Sequence, residues 1–443
     1  MKDFFGDKLF LNSRSAEILY SEVKDLPIID YHCHLNQHAI STDENFCDIG
    51  ELWLKHDHYK WRAMRLNGVD EKFITGNANY HDKFIKFAEI MPNLIGNPLY
   101  YWCHLELNRL FGITEPLNIL TAESIYVRAN EMLKNTSVLK MLKEFNVEYI
   151  ATTNDPTDDL SEYKKYGQTL IAPTFRPDRL YSLEDSYIKE LEVCVGGNIN
   201  TLDDLLGAIT QRLDYFVAKG CVISDHGFDC FPKKYADKST ADALFNNRKN
   251  LSEDEKDALF GFLLVWLTKE YAKRNVTMQI HFAVTRNVNA LGYKVSGKDS
   301  GYDVISDIPP VKSILNYFQQ VLDCERPKTI IYTLNDATLS SIACLTGAFN
   351  NVVLGAAWWF NDTVDGIKRN LSIISEYSCL GVIPGMLTDS RSFSHYVRFE
   401  FFRRIFCDYV GEKVEKGEYD VNSARELVKN VCYYNAKRMI NNG

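Results

Sequence analysis

Short runs of β-branched and apolar residues recur along the chain, and each run ends in polar side chains. Strands buried on both faces of a parallel sheet show this near-continuous apolar pattern instead of strict alternation. The runs predict strands at Pro27–His32, Val147–Asp155, Leu170–Asp178, Cys221–His226, Thr277–Phe282, Thr329–Leu334, Asn351–Ala357 and Cys379–Asp389. Helical periodicity occupies most of the intervening stretches, which predicts parallel βαβ units. Eight such units predict an α/β fold, a (β/α)8 barrel of the TIM type.

The stretch between the first two predicted strands is far too long for a simple connection from a strand to the next helix. Its periodicity is helical, with turn signals at Asn67–Gly68 and Gly96–Pro98. We interpret residues 35–146 as a helical insertion after the first strand, packed over the barrel mouth. Because no linker or internal repeat is visible, residues 1–443 are predicted to form a single domain.

Composition and charge narrow the classes of partner. The 443-residue chain has a net charge of −9, and it shows no basic stripe that would bind nucleic acid. Its longest apolar run, Leu259–Leu267, is too short to span a bilayer, and the first residues lack the apolar core of a signal peptide. The 11 cysteines are scattered without a CxxC pair, which favours reduced thiols. We therefore expect a cytoplasmic protein with neither nucleic acid nor a membrane as partner.

The first predicted strand ends in the sequence DYHCH, residues 30–34. Residues i and i+2 of a strand point to the same side, so His32 and His34 are expected to face one site. Two imidazoles at this spacing can share one divalent metal ion, and zinc suits nitrogen ligands. Because barrel active sites lie at the carboxyl ends of the strands, this position favours metal binding over the alternative, a hydrogen-bonded structural pair.

The last predicted strand ends in the sequence GMLTDSR, residues 385–391. The first and last strands of a closed barrel are neighbours, so Asp389 is expected beside His32 and His34. A carboxylate there can complete a metal site or move a proton. Arg391 would point toward the same mouth. The alternative is that Asp389 caps the following helix and that Arg391 is a surface residue.

Several longer segments together carry a family resemblance. After DYHCH and GMLTDSR, a third motif is DHYKWRAMR at residues 57–65, which is rich in hydrogen-bond donors and aromatic rings. Taken alone, it suits an amphipathic surface helix equally well. With it stand DYHCHL from Asp30, IGNPLYYWCHLEL from Ile95, WWFND from Trp358 and GMLTDSRSF from Gly385. These segments resemble the uronate isomerases, an outlying branch of the amidohydrolase superfamily. The resemblance runs from about Phe10 to the C-terminus, in the family's order.

The resemblance implies a barrel with one divalent metal ion, commonly zinc, held at the two histidines of the first strand. It implies an aldose–ketose isomerase that converts D-glucuronate to D-fructuronate and D-galacturonate to D-tagaturonate through a metal-stabilised cis-enediol. The metal neighbourhood would consist of His32, His34 and Asp389. The catalytic and substrate-orienting groups would be Asp389, Arg391, Tyr59 and His58.

Other positions match family residues around the substrate. His281 matches a histidine on the fifth strand that is either a metal ligand or a substrate donor, and a buried structural histidine is the alternative. Arg176, Arg286 and Trp359 follow the third, fifth and seventh predicted strands and match positions that line the pocket. The two arginines are candidates for clamping the substrate carboxylate, because a guanidinium group binds a carboxylate through two parallel hydrogen bonds.

Two departures from the family pattern concern the surroundings of the site. The sequence RFEFFRRI from Arg398 stands where the family usually has RHEYFRRI, so Phe399 and Phe401 replace a histidine and a tyrosine. The sixth strand ends in Leu334–Asp336 (LND), where the family often has LNP. These changes put supporting hydrogen bonds in question and leave every candidate site residue in place.

Two other classes of protein stay open on the sequence. A mononuclear hydrolase of the same superfamily, such as a lactonase or deaminase, would use the same arrangement of histidines and aspartate. A binuclear hydrolase would need a lysine on the fourth strand and a histidine on the sixth to hold its second metal ion. The fourth predicted strand, which ends in Ser224–His226, has no lysine and the sixth has no histidine, so this class is disfavoured. A sugar-acid binding protein would not need the full set of catalytic candidates. The expected partner is a small uronic acid, and a homo-oligomer is compatible with the sequence.

Overall fold

Seven of the eight predicted strands form one curled parallel sheet in the computed structural model, which describes residues 3–307 and 311–441. The strands are Ile28–Cys33, Val147–Asn154, Thr169–Phe175, Ile223–Gly227, Thr277–Phe282, Thr329–Thr333 and Val352–Leu354. Each pairs in parallel with the next strand of this series along the chain. The two-residue strand Lys165–Tyr166 joins the third strand, and Val284–Thr285 pairs with Val304–Ile305 outside the sheet. Sequential parallel strands with flanking helices make a TIM-type barrel, so the predicted fold class is confirmed.

Helices fill the connections between the strands. Residues 35–146 fold into the α-helices Gln37–Ser41, Ile49–Leu54, His58–Leu66, Tyr80–Ile90, Pro98–Phe111, Ala122–Leu133 and Val138–Glu144. The other α-helices are Arg14–Val23, Asp185–Val195, Leu202–Ala218, Lys238–Asn246, Glu253–Lys273, Ala290–Ser296, Val311–Gln320, Leu339–Ala348, Val364–Tyr377, Val397–Glu415, Val421–Lys429 and Asn435–Asn441. Among the described residues, no helix is both long and apolar enough to cross a membrane.

The strand predicted at Cys379–Asp389 is wrong. Leu380–Val382 is a 3-10 turn, and the residues that follow it are irregular. Two features prevent an extended ladder there. Pro384 has no N–H group to donate to a neighbouring strand. Gly385 and Asp389 adopt left-handed backbone conformations, with φ of 73° and 48°.

This irregular segment nevertheless lies along the first strand. The Asp389 N–H donates to the carbonyl of His32 at 3.1 Å, and the His34 N–H donates to the carbonyl of Ser390 at 2.8 Å. The expectation that Asp389 lies beside the two histidines therefore holds, although its segment is not a strand.

A buried carboxylate reinforces the same contact. Asp30, on the first strand, accepts hydrogen bonds from the Thr388 N–H at 2.9 Å and from Thr388 Oγ1 at 2.6 Å. The Tyr31 hydroxyl donates to the carbonyl of Gly385 at 2.8 Å. Burial raises the pKa of Asp30 to about 6, against the two Thr388 hydrogen bonds, which lower it. Asp30 and Tyr31, successive residues of the first strand, thus bind two points of the irregular segment Gly385–Ser390, which we call the closing segment.

Apolar side chains pack on both faces of the curled sheet. Ile29, Tyr149 and Ile330 belong to the cluster inside the barrel. Ile28 and Ile150 belong to the larger cluster between the strands and the helices. Neighbouring residues of a strand therefore face opposite layers, as the period of two requires. Both layers are apolar, which explains why the strands read as continuous apolar runs.

We expect Gly385→Ala to destabilise the protein. A Cβ at Gly385 would lie 2.1 Å from the carbonyl oxygen of Val431, and the left-handed φ of 73° adds strain for any L side chain. We expect the free energy of unfolding to fall by about 2 kcal/mol or more. Urea unfolding followed by circular dichroism measures this change.

Gly207→Ala is the matched control. Gly207 lies inside the helix Leu202–Ala218, and nothing lies within 4 Å of its added Cβ. Alanine there should leave the unfolding midpoint unchanged or raise it slightly, since glycine costs about 0.5–1 kcal/mol in a helix interior. Equal midpoints for Gly385→Ala and the parent protein would contradict the prediction.

Candidate active site

A cavity of about 380 Å³ opens at the carboxyl ends of the strands, where barrel enzymes have their active sites. Nine of the ten candidate residues line it: His32, His34, His58, Arg176, His281, Arg286, Trp359, Asp389 and Arg391. The tenth, Tyr59, is adjacent to this lining, with its hydroxyl 3.4 Å from Asp389 Oδ2. Residues from the strand ends and from the helical insertion therefore meet at one cavity.

An irregularity in the first strand turns its histidine into the cavity. Strict alternation would put Tyr31 and His32 on opposite faces, yet both side chains lie inside the barrel. The Tyr31 hydroxyl is 3.4 Å from that of Tyr332, and the His32 ring stacks on His281 with centroids 4.5 Å apart. The pairing register of the strand shifts between Asp30 and Cys33. Such bulges re-aim side chains next to active sites.

One carboxylate oxygen joins the two histidines. Asp389 Oδ1 lies 3.2 Å from His32 Nε2 and 3.1 Å from His34 Nε2. The Thr153 hydroxyl contacts the other ring nitrogen of His34, Nδ1, and so fixes the orientation of that ring. The second oxygen of Asp389, Oδ2, accepts a hydrogen bond from Trp358 Nε1 at 2.9 Å. The carboxylate is held from both sides, with Oδ1 toward the imidazoles.

This cluster fits a divalent metal ion. Ligand atoms bound tetrahedrally at about 2.0–2.1 Å from an ion lie about 3.3 Å apart, close to the two separations in the cluster. A second set of donors, on His32, Asp225 and His281, also lies within 4.8 Å of one another. His281 Nε2 is buried and has no hydrogen-bond partner among the described residues, so it is a further available donor.

Asp225 is a residue of the site that the sequence analysis did not single out. It is fully buried, with Oδ1 2.7 Å from His281 Nδ1, and Oδ2 accepts from Arg176 NH1 at 2.9 Å. Burial alone would raise the pKa of Asp225, but the charges of Arg176, His32 and His281 hold it well below its usual value. The signal for it in the sequence is the polar end, Ser224–His226, of an apolar strand.

A buried ion cluster holds the start of the helix His58–Leu66. Asp57 Oδ1 accepts from the Tyr59 N–H at 2.9 Å, and Oδ2 accepts from Lys60 Nζ at 2.7 Å. Lys60 Nζ also lies 2.9 Å from His395 Nε2. His395 Nδ1 in turn contacts the hydroxyl of Ser390. The third motif is therefore tied to the segment that follows the last predicted strand.

The two candidate residues on this helix differ in their protonation. Burial and the nearby charge of Arg391 lower the pKa of His58 to about 4, so its imidazole is neutral at neutral pH. Burial, with the charge of Asp389 adding to it, raises the pKa of Tyr59 well above its usual value. The Tyr59 hydroxyl is therefore a hydrogen-bond donor throughout the physiological range.

The tandem tryptophans after the seventh strand have different contacts. Trp359 lines the cavity, and the guanidinium carbon of Arg286 lies 5.4 Å from its ring centroid. Trp358, which the sequence analysis left aside, donates to Asp389 as described above. The paired tryptophans in the sequence indicate that one of the two rings lies near the site, but nothing in the sequence tells which ring reaches the carboxylate.

Phe399 and Phe401, which depart from the family pattern in the helix Val397–Glu415, lie in apolar surroundings. The Phe401 ring has its centroid 5.5 Å from that of Phe10 and 6.2 Å from that of Trp102. Phe399 is buried as well, and neither phenylalanine lines the cavity. At the end of the sixth strand, Asn335 Oδ1 accepts from the Ala337 N–H at 3.0 Å. These positions contribute packing and a turn, away from the cavity wall.

In this parallel barrel the end of the first strand and the irregular segment beside it bring two histidines and an aspartate to one cavity, which is the architecture of a barrel enzyme with a candidate metal centre. The chain belongs to the glucuronate isomerase family, whose family model matches residues 1–440. The family predicted from the sequence motifs is thereby confirmed.

Individual relatives are similar to this chain over its whole length. The chain is 41% identical to the uronate isomerase of Caldanaerobacter subterraneus subsp. tengcongensis, over 99% of both chains. It is 39% identical to the uronate isomerase of Brachyspira hyodysenteriae, over 100% of both chains. The crystal structure of the Thermotoga maritima uronate isomerase superposes with a TM-score of 0.96 at 33% identity, covering 99% of this chain and 100% of that one.

We expect Lys60→Met to destabilise the protein strongly. Methionine keeps much of the volume but removes the buried ammonium group 2.7 Å from Asp57 Oδ2, so the His395 imidazole at 3.0 Å stays as its neighbour. Breaking a buried ion pair in this way typically costs about 3–5 kcal/mol. Denaturant unfolding followed by circular dichroism measures the loss. Lys55→Met removes a partly exposed lysine that pairs with Glu51 at 3.0 Å, and it should change stability far less. Similar midpoints for the two variants would refute this account.

We expect His34→Ala to lose bound metal. Removing one of the three clustered donor groups should leave zinc-loaded protein with almost no metal after dialysis against a mild chelator, because two remaining donors hold an ion far more weakly. Elemental analysis by mass spectrometry measures the content. His38→Ala is the control, because this exposed histidine pairs with Glu162 at 2.7 Å instead. Parent-like metal content in His34→Ala would show that the ion binds elsewhere.

Proposed function

We propose that this protein is an aldose–ketose isomerase that converts D-glucuronate to D-fructuronate and D-galacturonate to D-tagaturonate. The observation that carries the proposal is the convergence of His32, His34 and Asp389 in one cavity of a chain that belongs to the glucuronate isomerase family. The relatives named above are uronate isomerases, and the likeness to them spans the whole chain.

The reaction moves a proton from C2 to C1 of the open-chain sugar through a cis-enediol. A proton beside a carbonyl is only weakly acidic in water, so stabilising the enediolate is the main task of the site. A base must reach C2 and an acid must reach C1. Proton transfer by a positioned group is typically worth about 10²–10⁴-fold in rate.

His32, His34 and Asp389 would hold one divalent ion, and zinc suits two imidazoles and a carboxylate. Such an ion, when bound, polarises the carbonyl and hydroxyl oxygens of the substrate. His281, with its buried Nε2, is either a fourth ligand or a donor to the substrate. Barrels with such metal centres include the amidohydrolase superfamily, to which we assign the chain within this proposal.

Asp389 is our candidate for one of the two proton transfers. Its Oδ2 is oriented by Trp358 Nε1 at 2.9 Å and lies 3.4 Å from the Tyr59 hydroxyl. Tyr59, which stays protonated, or Arg391 would assist the other transfer and steady the enediolate. His58 is neutral at neutral pH and can accept a hydrogen bond or a proton from the substrate.

The remaining candidates would bind the substrate. Arg176, Arg286 and Trp359 line the cavity with His281, and their position suits contacts to the hydroxyl and carboxylate groups of a sugar acid. Arginine is suited to the carboxylate, because its planar fork offers two parallel donors.

The proposal also covers the domain organisation, the cellular location and the partners of the protein. The chain would form one domain, residues 1–443, with residues 35–146 as an insertion over the barrel mouth. This is supported by His58, which lines the cavity, and by the bidentate pair of Arg109 with Glu400 at 2.7 and 2.8 Å. We propose a cytoplasmic enzyme that acts on a small sugar acid, without nucleic acid or membrane as partner. A homo-oligomer is compatible with these features.

Proton NMR in D₂O tests the function directly. Zinc-loaded protein incubated with D-glucuronate should produce the resonances of D-fructuronate, and deuterium at the transferred position would report exchange of the proton with solvent. His34→Ala, prepared in the same way, should give no product. Unchanged spectra with both D-glucuronate and D-galacturonate, in protein shown to contain metal, would sink the proposal and favour a mononuclear hydrolase or a sugar-acid binding protein.

A further inference from the structure

A second cavity lies at the amino end of the first strand, whereas the catalytic cavity lies at the carboxyl ends of the strands. Its volume is about 360 Å³, which falls in the range of about 300–1,000 Å³ that is typical of small-molecule sites. Residues of the stretches 20–28, 109–110, 144–146 and 396–403 line it. Among the described residues, none lines both cavities. A ligand here would therefore leave the catalytic cavity open to substrate.

Arg403 places a buried positive charge at this cavity. The residue is 4% exposed, and its guanidinium group donates to the carbonyls of Lys24, Leu26 and Pro27 at 3.3, 2.8 and 2.8 Å. Its Nε is buried and has no hydrogen-bond partner within residues 3–307 and 311–441, and no carboxylate of those residues lies within 4 Å of the group. Burial lowers the pKa of Arg403, as expected of a charge that has left water without a counter-ion.

The second arginine of this wall, Arg109, already has a carboxylate partner. Its Nε and NH2 donate to Glu400 at 2.8 and 2.7 Å, and another arginine donates to the same carboxylate at 2.8 Å. Glu400 is therefore not available to Arg403. Asp25 and Glu144 also line the cavity, but both are exposed, so water screens their charges. The buried charge of Arg403 is thus left without a counter-ion.

Much of the remaining wall is aromatic or aliphatic. The Tyr396 ring has its centroid 6.0 Å from that of Phe145 and 6.4 Å from that of Phe399. Phe399 stands where the family pattern has histidine, so this wall offers a ring without a hydrogen-bonding group there. The aliphatic part of the wall consists of Leu26, Ile28, Leu110 and Val397. A fitting ligand carries a negative charge at one end and a flat apolar body.

We propose that this cavity is a second ligand site, which takes a small aromatic carboxylate and uses Arg403 as its counter-ion. The carboxylate gains charge-assisted hydrogen bonds from a guanidinium group, and the ring is removed from water against the apolar wall. A sugar acid suits this wall poorly, because hydroxyl groups that face apolar side chains lose their hydrogen bonds. The ligand therefore differs in class from the proposed substrate, and the inference does not rest on the proposed function.

The second cavity adjoins the contact that holds the catalytic candidates in place. Ile28 begins the first strand, two residues before Asp30, whose carboxylate binds Thr388 of the closing segment. Tyr396 immediately precedes the helix Val397–Glu415, and burial together with the charge of Asp30 raises the pKa of Tyr396 well above its usual value. An occupant would contact both elements, so we expect it to stabilise the folded protein by mass action.

Fluorine NMR of the metal-loaded protein tests the proposal with two probes of nearly the same shape. The probe para-fluorobenzoate carries the charge, and para-fluorobenzamide is its neutral counterpart. The parent protein should bind the benzoate about tenfold more tightly than the benzamide, because hydrogen bonds between two charged groups are stronger than those to a neutral amide. Arg403→Met should lose this preference.

Arg212→Met is the matched control. Arg212 also donates to backbone carbonyls, those of Pro156 at 2.6 Å and Asp158 at 2.8 Å, and it lines neither cavity. This variant should keep the parent's preference for para-fluorobenzoate. Circular dichroism verifies that each variant is folded.

Phe399→Leu is a second variant that leaves the guanidinium group and its carbonyl partners in place. Leucine keeps the wall apolar but removes the ring, so binding of para-fluorobenzoate should weaken about threefold. If Arg403→Met does not fold, this variant and the position of the ligand in a crystal decide the question.

A crystal soaked with para-iodobenzoate locates the ligand, because anomalous scattering marks the iodine atom. The iodine should lie in the second cavity, with the carboxylate toward Arg403. Iodine in the catalytic cavity alone would overturn the proposal. Equal binding of the two fluorine probes by the parent, an unchanged preference in Arg403→Met, or unchanged binding by Phe399→Leu would also contradict it. None of these measurements needs turnover, so their outcome is independent of the isomerisation experiment.

Discussion

The hydrogen bonds between the first strand and the segment Gly385–Ser390 hold the candidate site together. This contact closes the sheet where no eighth strand forms, and it fixes the position of Asp389 relative to His32 and His34. It depends on Asp30, a buried carboxylate whose two oxygens accept from one threonine. Desolvating a carboxylate is costly unless its hydrogen bonds are made, so the contact holds only in this register.

Buried charges elsewhere extend the same constraint to the helical insertion. Arg398 is almost fully buried, donates to the carbonyl of Thr388 at 2.7 Å, and lies 3.8 Å from the Trp102 ring centroid and 4.9 Å from that of Tyr59. One guanidinium group thus contacts the closing segment and two aromatic rings of the insertion. Such positioning by groups that do not reach the cavity keeps the candidate acids, bases and donors in fixed relative positions, which electrostatic catalysis requires.

The strand order and the family followed from local patterns in the sequence. Apolar runs gave seven strands within a few residues of their bounds, and Thr277–Phe282 matches at both ends. They failed at Cys379–Asp389, because apolar character reports burial and does not distinguish an extended ladder from a buried irregular segment. Pro384 and Gly385 within that run were the local signs against a strand.

The sequence by itself predicted that His32 and His34 lie together and that Asp389 approaches them, from the spacing of the histidines and the closure of a barrel. The register shift that turns His32 into the cavity and the irregular path of the segment that carries Asp389 appeared only in the tertiary structure. Only the tertiary structure decided that Asp225 supports His281 and that Arg403 donates to the carbonyls before the first strand. Those contacts join residues far apart along the chain, and their existence depends on burial, loop path and side-chain direction. No local pattern encodes these quantities, because they arise only when the whole chain has packed.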